Sequence, residues 1–238
     1  MLDKRLLFVT GKGGVGKSTV AIALGLLAAR RGLRTIVAEL ASQERMQGLF
    51  SDNGGEQFRE LELAPGLYTI SIDLAGAEIA MSTMIGRERS LQKALKPVDD
   101  DYDFVFIDTP PSLGLLTINA LTAAHKVIVP VQCEYLSMRG LIQLQNTLAM
   151  IRENLNPDVD IEGILPTLVD TRTLHAKEAI ELLEENFGDR VFTSRIRKTI
   201  RFAEAPVKGM SVLKYDPDGV AAHAYRQLAK EVLSNAHR

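Results

Sequence analysis

Short, continuous apolar runs recur along the chain, separated by longer stretches in which apolar positions return with helical spacing. The runs are LLFVT (6–10), TIVAEL (35–40), LYTISI (67–72), FVFID (104–108), KVIVPV (126–131) and IEGILPTLV (161–169). They do not alternate with polar residues, so each predicts a strand buried on both faces. Between them the pattern predicts helices over 17–31, 76–95, 112–123, 137–155, 175–187 and 218–235, with Asn156-Pro157 and Gly188 as stops for two of them. Strands and helices alternating in this way predict an α/β fold in three layers, a mostly parallel central sheet covered by helices on both faces. Ligands bind such sheets at the carboxyl ends of the strands. The polar stretch SDNGGEQFRE (51–60) reads as an exposed loop.

Length and composition narrow the picture only a little. At 238 residues the chain suits one domain spanning 1–238, with 46% apolar and 24% charged residues. A net charge of -2 means that any nucleic-acid surface must be local. The single cysteine, Cys133, excludes a disulfide framework and paired-cysteine metal sites within one chain, and suits a reducing cytoplasm. The opening MLDKRLLFVTG lacks the features of a secretory signal, and no run approaches the roughly 20 apolar residues that span a bilayer, so a soluble cytoplasmic protein without a membrane partner is expected. The last helix, VAAHAYRQLAKEVL, has an apolar stripe for docking on the sheet and lacks the aromatic, lysine-rich character of a membrane-surface helix. His125, His175, His223 and His237 show no metal-ligand spacing.

The chemistry concentrates in GKGGVGKST (11–19), which follows one strand and opens a helix. It matches G-x-x-x-x-G-K-[ST] at Gly11, Gly16, Lys17 and Ser18. Its glycines, Gly11, Gly13, Gly14 and Gly16, with Val15 and Thr19, let consecutive N–H groups turn inward around an anion, and the helix adds its positive end. Lys17 then reaches the β and γ phosphates of ATP and Ser18 ligates Mg2+. This makes the expected architecture a three-layer P-loop NTPase fold. A second metal anchor is expected at the end of another buried strand, and Asp108 in DFVFIDTPP supplies it as the Walker B carboxylate, acting mainly through water.

Lys12 is a second lysine in a loop that needs one, and its place is the outer rim. Here the sequence resembles the deviant Walker A family, which includes ParA and Soj partition ATPases, MinD, and the anion-pump and tail-anchored-protein targeting ATPases. In that family the early lysine reaches across an ATP-sandwich dimer, so the resemblance implies a homodimer formed on ATP. From residue 74 onward the likeness to chromosomal ParA/Soj proteins is carried by LAGAEI, GRERSLQKAL, YDFVFIDTPPSLGLLTINALTAAHKVIVPVQCEYLSMRGL, NLNPDVDIEGILPTLVDTRT, FGDRVF and AEAPVKGMSVLKYDPDGVAAHAYRQLAKEV. The first 50 residues are more similar to the anion-pump-like branch.

That difference carries a chemical consequence. ParA proteins have DLDPQ where this chain has ELASQ, which puts Glu39 at the first aspartate and Ala41 at the second. The resemblance assigns the second position to orienting the attacking water, and Ala41 cannot accept a hydrogen bond. Glu39 keeps a catalytic carboxylate near the phosphates, suited to contact with the hydration shell of Mg2+, and impaired hydrolysis is expected.

The segment RIRKTIR places Arg195, Arg197, Lys198 and Arg201 together without an intervening acid. Such a cluster neutralises phosphates, and without aromatic interleaving or a helix-turn-helix its DNA binding is expected to be sequence-neutral and salt-sensitive. A solvated basic face, or a loop beside the nucleotide, accounts for the same residues. The family binds nucleoid DNA through this region and near its DTRT motif, which adds Arg172. Pro206 matches a family proline near the adenine and reads equally well as a turn proline.

The resemblance therefore implies an ATP-binding partition ATPase that dimerises on MgATP, binds DNA non-specifically at the nucleoid, and answers to a ParB-like partner. Two alternatives stand beside it: an anion-transport or protein-targeting ATPase, suggested by the opening residues, and a non-hydrolysing nucleotide-dependent scaffold, suggested by Ala41.

Overall fold

The computed structural model describes residues 5–40, 60–72, 81, 83–98, 100–109, 114–133 and 137–234. Among these, the strands are β1 (Arg5–Val9), β2 (Thr35–Leu40), β3 (Leu61–Ala64), β4 (Leu67–Ile72), β5 (Phe104–Asp108), β6 (Lys126–Gln132) and β7 (Asp160–Thr167). The helices are α1 (Lys17–Ala29), α2 (Ser90–Leu95), α3 (Leu115–Ala123), α4 (Ser137–Asn154), α5 (Leu174–Phe187), α6 (Arg201–Val207), α7 (Val212–Tyr215) and α8 (Val220–Ser234). The strands form one sheet in the order β3-β4-β2-β5-β1-β6-β7, parallel except where β3 meets β4.

The continuous apolar runs become central strands because each strand feeds two cores at once. In β1, Leu7 and Val9 pack with α1 and α8, while Leu6 and Phe8 pack on the opposite face with α3 and α4. In β5, Phe104 and Phe106 take the α1 face and Val105 and Ile107 the other. Successive side chains of a strand point to opposite faces, so a strand covered on both sides has no position that favours a polar residue. Polar residues therefore collect at the strand ends, where the sheet meets the loops.

Pro130 stands inside β6, a strand flanked on both sides, where a missing N–H is normally excluded. The register supplies the reason. The Ile128 carbonyl accepts from Thr10 N–H at 3.1 Å, so residue 130, two further on, also turns its backbone groups toward β1. By then β1 has ended at Val9, and Gly11 packs against the Pro130 carbonyl instead. The proline costs the ladder nothing at that level.

Five elements differ from the sequence pattern. The helix expected over 76–95 is not continuous: residues 73–80 and 82 lie outside the description, and Gly86 at φ 70 separates Met81 from a single 3-10 turn (Arg87–Arg89) and α2. A left-handed glycine breaks the hydrogen-bond ladder whatever the apolar spacing on either side. The helix expected from 112 begins at Leu115, after an extended Gly114. The edge strand β3 and the short helices α6 and α7 were not expected, since four to seven residues are too few to show a period. The loop expected at 51–60 lies outside the described residues except for Glu60. No helix among the described residues is long and apolar enough to cross a membrane.

Candidate functional site

The turn from β1 into α1 is built around glycines. Gly14 and Gly16 sit at φ 80 and 91, in the left-handed region that side chains avoid, and neither would meet an obstacle to a Cβ, so their requirement is conformational. Gly11 is required for space: a Cβ there would lie 2.7 Å from the Pro130 carbonyl oxygen and 3.3 Å from Val15. Lys12, Gly13 and Gly14 are exposed, Val15 and Lys17 are buried, and Gly16, Ser18 and Thr19 lie between.

Gly16 is the N-cap of α1, no side chain caps the helix, and its first turn carries no acid. The first backbone N–H groups are thus left for an anion, favoured also by the helix dipole. Lys17 donates from Nζ to the Lys12 carbonyl at 3.2 Å, which folds its ammonium back across the loop.

Two carboxylates stand beside this loop. Phe104 and Phe106 face α1, and Asp108 continues their parity; Val37 does the same for Glu39. The register pairs Glu39 with Asp108 and Val9 with Asp108, so the acids stand in the last two positions of β2 and β5 on the face that carries α1. Glu39 is 1% exposed and Asp108 4%. Ionised carboxylates removed from water need compensating charge, which a lysine and a hard divalent cation supply.

The donor set fits Mg2+ held with a nucleotide. Among the described residues no group of three His, Cys, Asp or Glu side chains could hold a metal alone, so phosphate oxygens, water, Ser18 and Asp108 would share it. Thr109, directly after Asp108, is 3% exposed with its hydroxyl unbonded among the described residues, a further oxygen at the same strand end. It was missed in the sequence, although its place directly after Asp108 in IDTPP was a signal. Thr167 was also missed: it donates to the Val15 carbonyl at 2.9 Å from the end of β7, across 152 residues of chain. No local pattern announces that contact. Ala41 lies outside the described residues.

Pro206, within α6, lines a cavity of about 40 Å³ with Thr19, Ile22 and Ala23 of α1 and Ser211. The structure thus brings Pro206 beside the first turns of α1.

Arg195, Arg197 and Lys198 lie in a run, residues 191–198, that follows the outer edge of β7. Bridges join Ile164 to Val191 and Val169 to Arg197, and Lys198 N–H donates to the Val169 carbonyl at 3.1 Å. Glu231 of α8 holds this run by accepting from Thr193 and Ser194 N–H at 2.8 and 3.0 Å.

The five candidates differ in their partners. Arg172 is engaged by Asp170 through its backbone N–H, Nε and Nη2, at 3.1, 2.9 and 2.7 Å, and these bonds hold the Asp170 carboxyl well below the usual carboxylate range. Arg195 pairs with Glu184 at 2.5 Å. Arg201 pairs with Glu204 at 2.7 Å and Asp216 at 3.4 Å, which draws it into the α6–α7 corner. Arg197 and Lys198 are exposed and form no ion pair among the described residues.

Comparison with known proteins agrees with this geometry. A family model described as anion-transporting ATPase matches residues 4–98, and one described as AAA domain matches residues 54–161. The sporulation initiation inhibitor protein Soj of Bacillus subtilis (strain 168) is 37% identical, over 98% of this chain and 100% of its own length. The chromosome-partitioning ATPase Soj of Treponema pallidum (strain Nichols) is 38% identical, with 98% of each chain covered. A crystal structure of cobyrinic acid a,c-diamide synthase from Mycobacterium smegmatis with bound ADP and magnesium is similar at a TM-score of 0.79 and 32% identity, covering 99% of this chain and 97% of that one.

Proposed function

The chain belongs to the Soj/ParA family of chromosome-partitioning ATPases, and from that premise we propose that it binds ATP with Mg2+ at residues 11–19, dimerises on the bound nucleotide, and associates with DNA without sequence preference at the nucleoid. The observation that carries this reading is the uncapped, acid-free start of α1 with Glu39 and Asp108 on the same sheet face.

Each residue has a role in the hydrolysis of ATP to ADP and phosphate. The N–H groups of the loop and of the start of α1 hold the β and γ phosphates. Lys17 exchanges its bond to the Lys12 carbonyl for phosphate oxygens. Ser18 and Asp108 would hold Mg2+, which would neutralise charge developing on those oxygens. Glu39 would orient water beside that metal site. Ala41 offers nothing to the attacking water, so turnover is slow. Pro206, which lines the cavity beside Thr19, would flank the base of the bound nucleotide.

Lys12, exposed on the rim, completes the phosphate site of the second subunit. Contacts that require the γ phosphate make ATP favour the dimer over ADP. Arg172, Arg197 and Lys198 form the DNA face, with Arg195 and Arg201 at its flanks. A ParB-like partner stimulates whatever hydrolysis the site retains.

The match of residues 4–98 to the anion-transporting ATPase model favours a second reading, in which the nucleotide-driven dimer serves cargo other than DNA. Light scattering, phosphate release and retention of random-sequence duplex with ATP, with ADP and at rising salt separate the two. The partition reading expects a dimer with ATP that Lys12→Ala abolishes, and salt-sensitive retention greatest with ATP. A monomer at saturating MgATP, or no retention in any state, would overturn it.

A further inference from the structure

The chain leaves β7 through a short strap that touches the phosphate loop at one end and the basic face at the other. At its start Thr167, 2% exposed, donates its hydroxyl to the Val15 carbonyl. The next residue, Leu168, has φ 51, the one non-glycine residue of positive φ among the described residues. A leucine in the left-handed region is strained and persists only where its surroundings over-determine it. Here they do so from both sides. Thr167 is fastened to the loop, and Val169 is fastened to the basic run, its N–H donating to the Ile196 carbonyl at 3.0 Å and its carbonyl accepting from Lys198. Asp170, which orients Arg172, follows directly.

The bond between Thr167 and Val15 has a particular mechanical property. The Val15 carbonyl and the Gly16 N–H belong to one rigid peptide plane. Gly16 is the N-cap of α1, at a helix start that no side chain caps, and its N–H is among those available to an anion. Rotation of that plane toward phosphate moves its oxygen end, the end that Thr167 grips. Gly16, which carries no Cβ and has open space around it, lets the plane turn about its own φ, and the strained Leu168 gives the strap a joint with a second backbone well within reach.

We propose that Thr167 is a positioning residue that couples the state of the phosphate loop to the placement of Arg172, Arg197 and Lys198. The proposal rests on the loop being a nucleotide site, and its biological output on the basic run being the DNA face. Nucleotide binding turns the Val15–Gly16 peptide, the Thr167 hydroxyl follows, and the change passes through Leu168 to the backbone bonds that register residues 196–198 against Val169.

Amide hydrogen exchange on the full chain, with and without a saturating non-hydrolysable ATP analogue and Mg2+, tests this without DNA. Exchange at Val169, Ile196 and Lys198 is expected to change by about fivefold or more on nucleotide binding in the native chain. Thr167→Val keeps the branched shape but lacks the hydroxyl, and is expected to reduce the change to less than about twofold, with Thr167→Ser restoring it. Should Thr167→Val fail to fold, Leu168→Gly, which loosens the joint and keeps the hydroxyl, carries the same expectation. A full response in these variants, or none in the native chain, overturns the proposal. Retention of duplex DNA measured in parallel separates the two readings: amides that respond in a chain that binds no DNA would overturn the DNA face and uphold the coupling.

Discussion

Glu39 and Asp108 occupy paired positions at the carboxyl ends of β2 and β5, both buried and both on the face that carries α1. Their roles differ, and isosteric amides separate them. Asp108→Asn removes the metal's carboxylate, so nucleotide affinity measured by calorimetry with Mg2+ should fall about tenfold or more, toward its metal-free value. Glu39→Gln should leave binding in place and lower phosphate release by about 10- to 100-fold. Equal turnover in native and Glu39→Gln proteins would remove Glu39 from the reaction.

Gly11 and Gly14 are both phosphate-loop glycines, yet alanine should affect them for different reasons. At Gly11 the new methyl meets the backbone oxygen of Pro130 in a strand held on both sides, and urea denaturation should show a loss of about 1–3 kcal/mol. At Gly14 the space is open and the cost is conformational, about 1–2 kcal/mol. Gly11→Ala should also displace the loop and weaken nucleotide binding; native affinity in that variant would contradict the packing argument.

On the basic face, ion pairing sorts the candidates. Arg197→Ala and Lys198→Ala should each lower the slope of log affinity against log salt by about 0.9, read by anisotropy of a labelled duplex. Arg195→Ala and Arg201→Ala should change that slope little, because Glu184, Glu204 and Asp216 already engage those guanidiniums. An equal loss from all four would show that the pairs open on binding.

Cys133 packs with Val169 and Ala176, and burial pushes its thiol from 9.0 up to about 11. The folded state therefore holds its proton more tightly than the unfolded chain. The associated stability is complete below about pH 9, falls as pH rises through the window up to about 11, and amounts to about 3 kcal/mol at most. Alkylation at pH 8 should be about 100-fold slower in the native protein than in urea. Replacing Cys133 with alanine should flatten the alkaline part of the stability curve.

Much of this was legible along the chain. A strand whose residues feed cores on both faces reads as an apolar run, so six of the seven strands stood out, and a helix that opens on GKGGVGKST can hardly begin elsewhere than Lys17. Asp108 was legible because a carboxylate after four apolar residues has only the strand end to occupy. What escaped was short or non-periodic: β3, α6, α7 and the break at Gly86.

The amino-acid order by itself determined the layered α/β sheet, the anion-adapted loop and the acids beside it, because periodicity, glycine placement and strand ends are local properties. Only the tertiary structure decided that Thr167 holds Val15 from 152 residues away, that Pro130 is harmless beside Gly11, and which arginines are already paired. These are relations between segments far apart in the chain, and they come into being only when parallel strand pairing brings the ends of β1, β6 and β7 to one edge of the sheet.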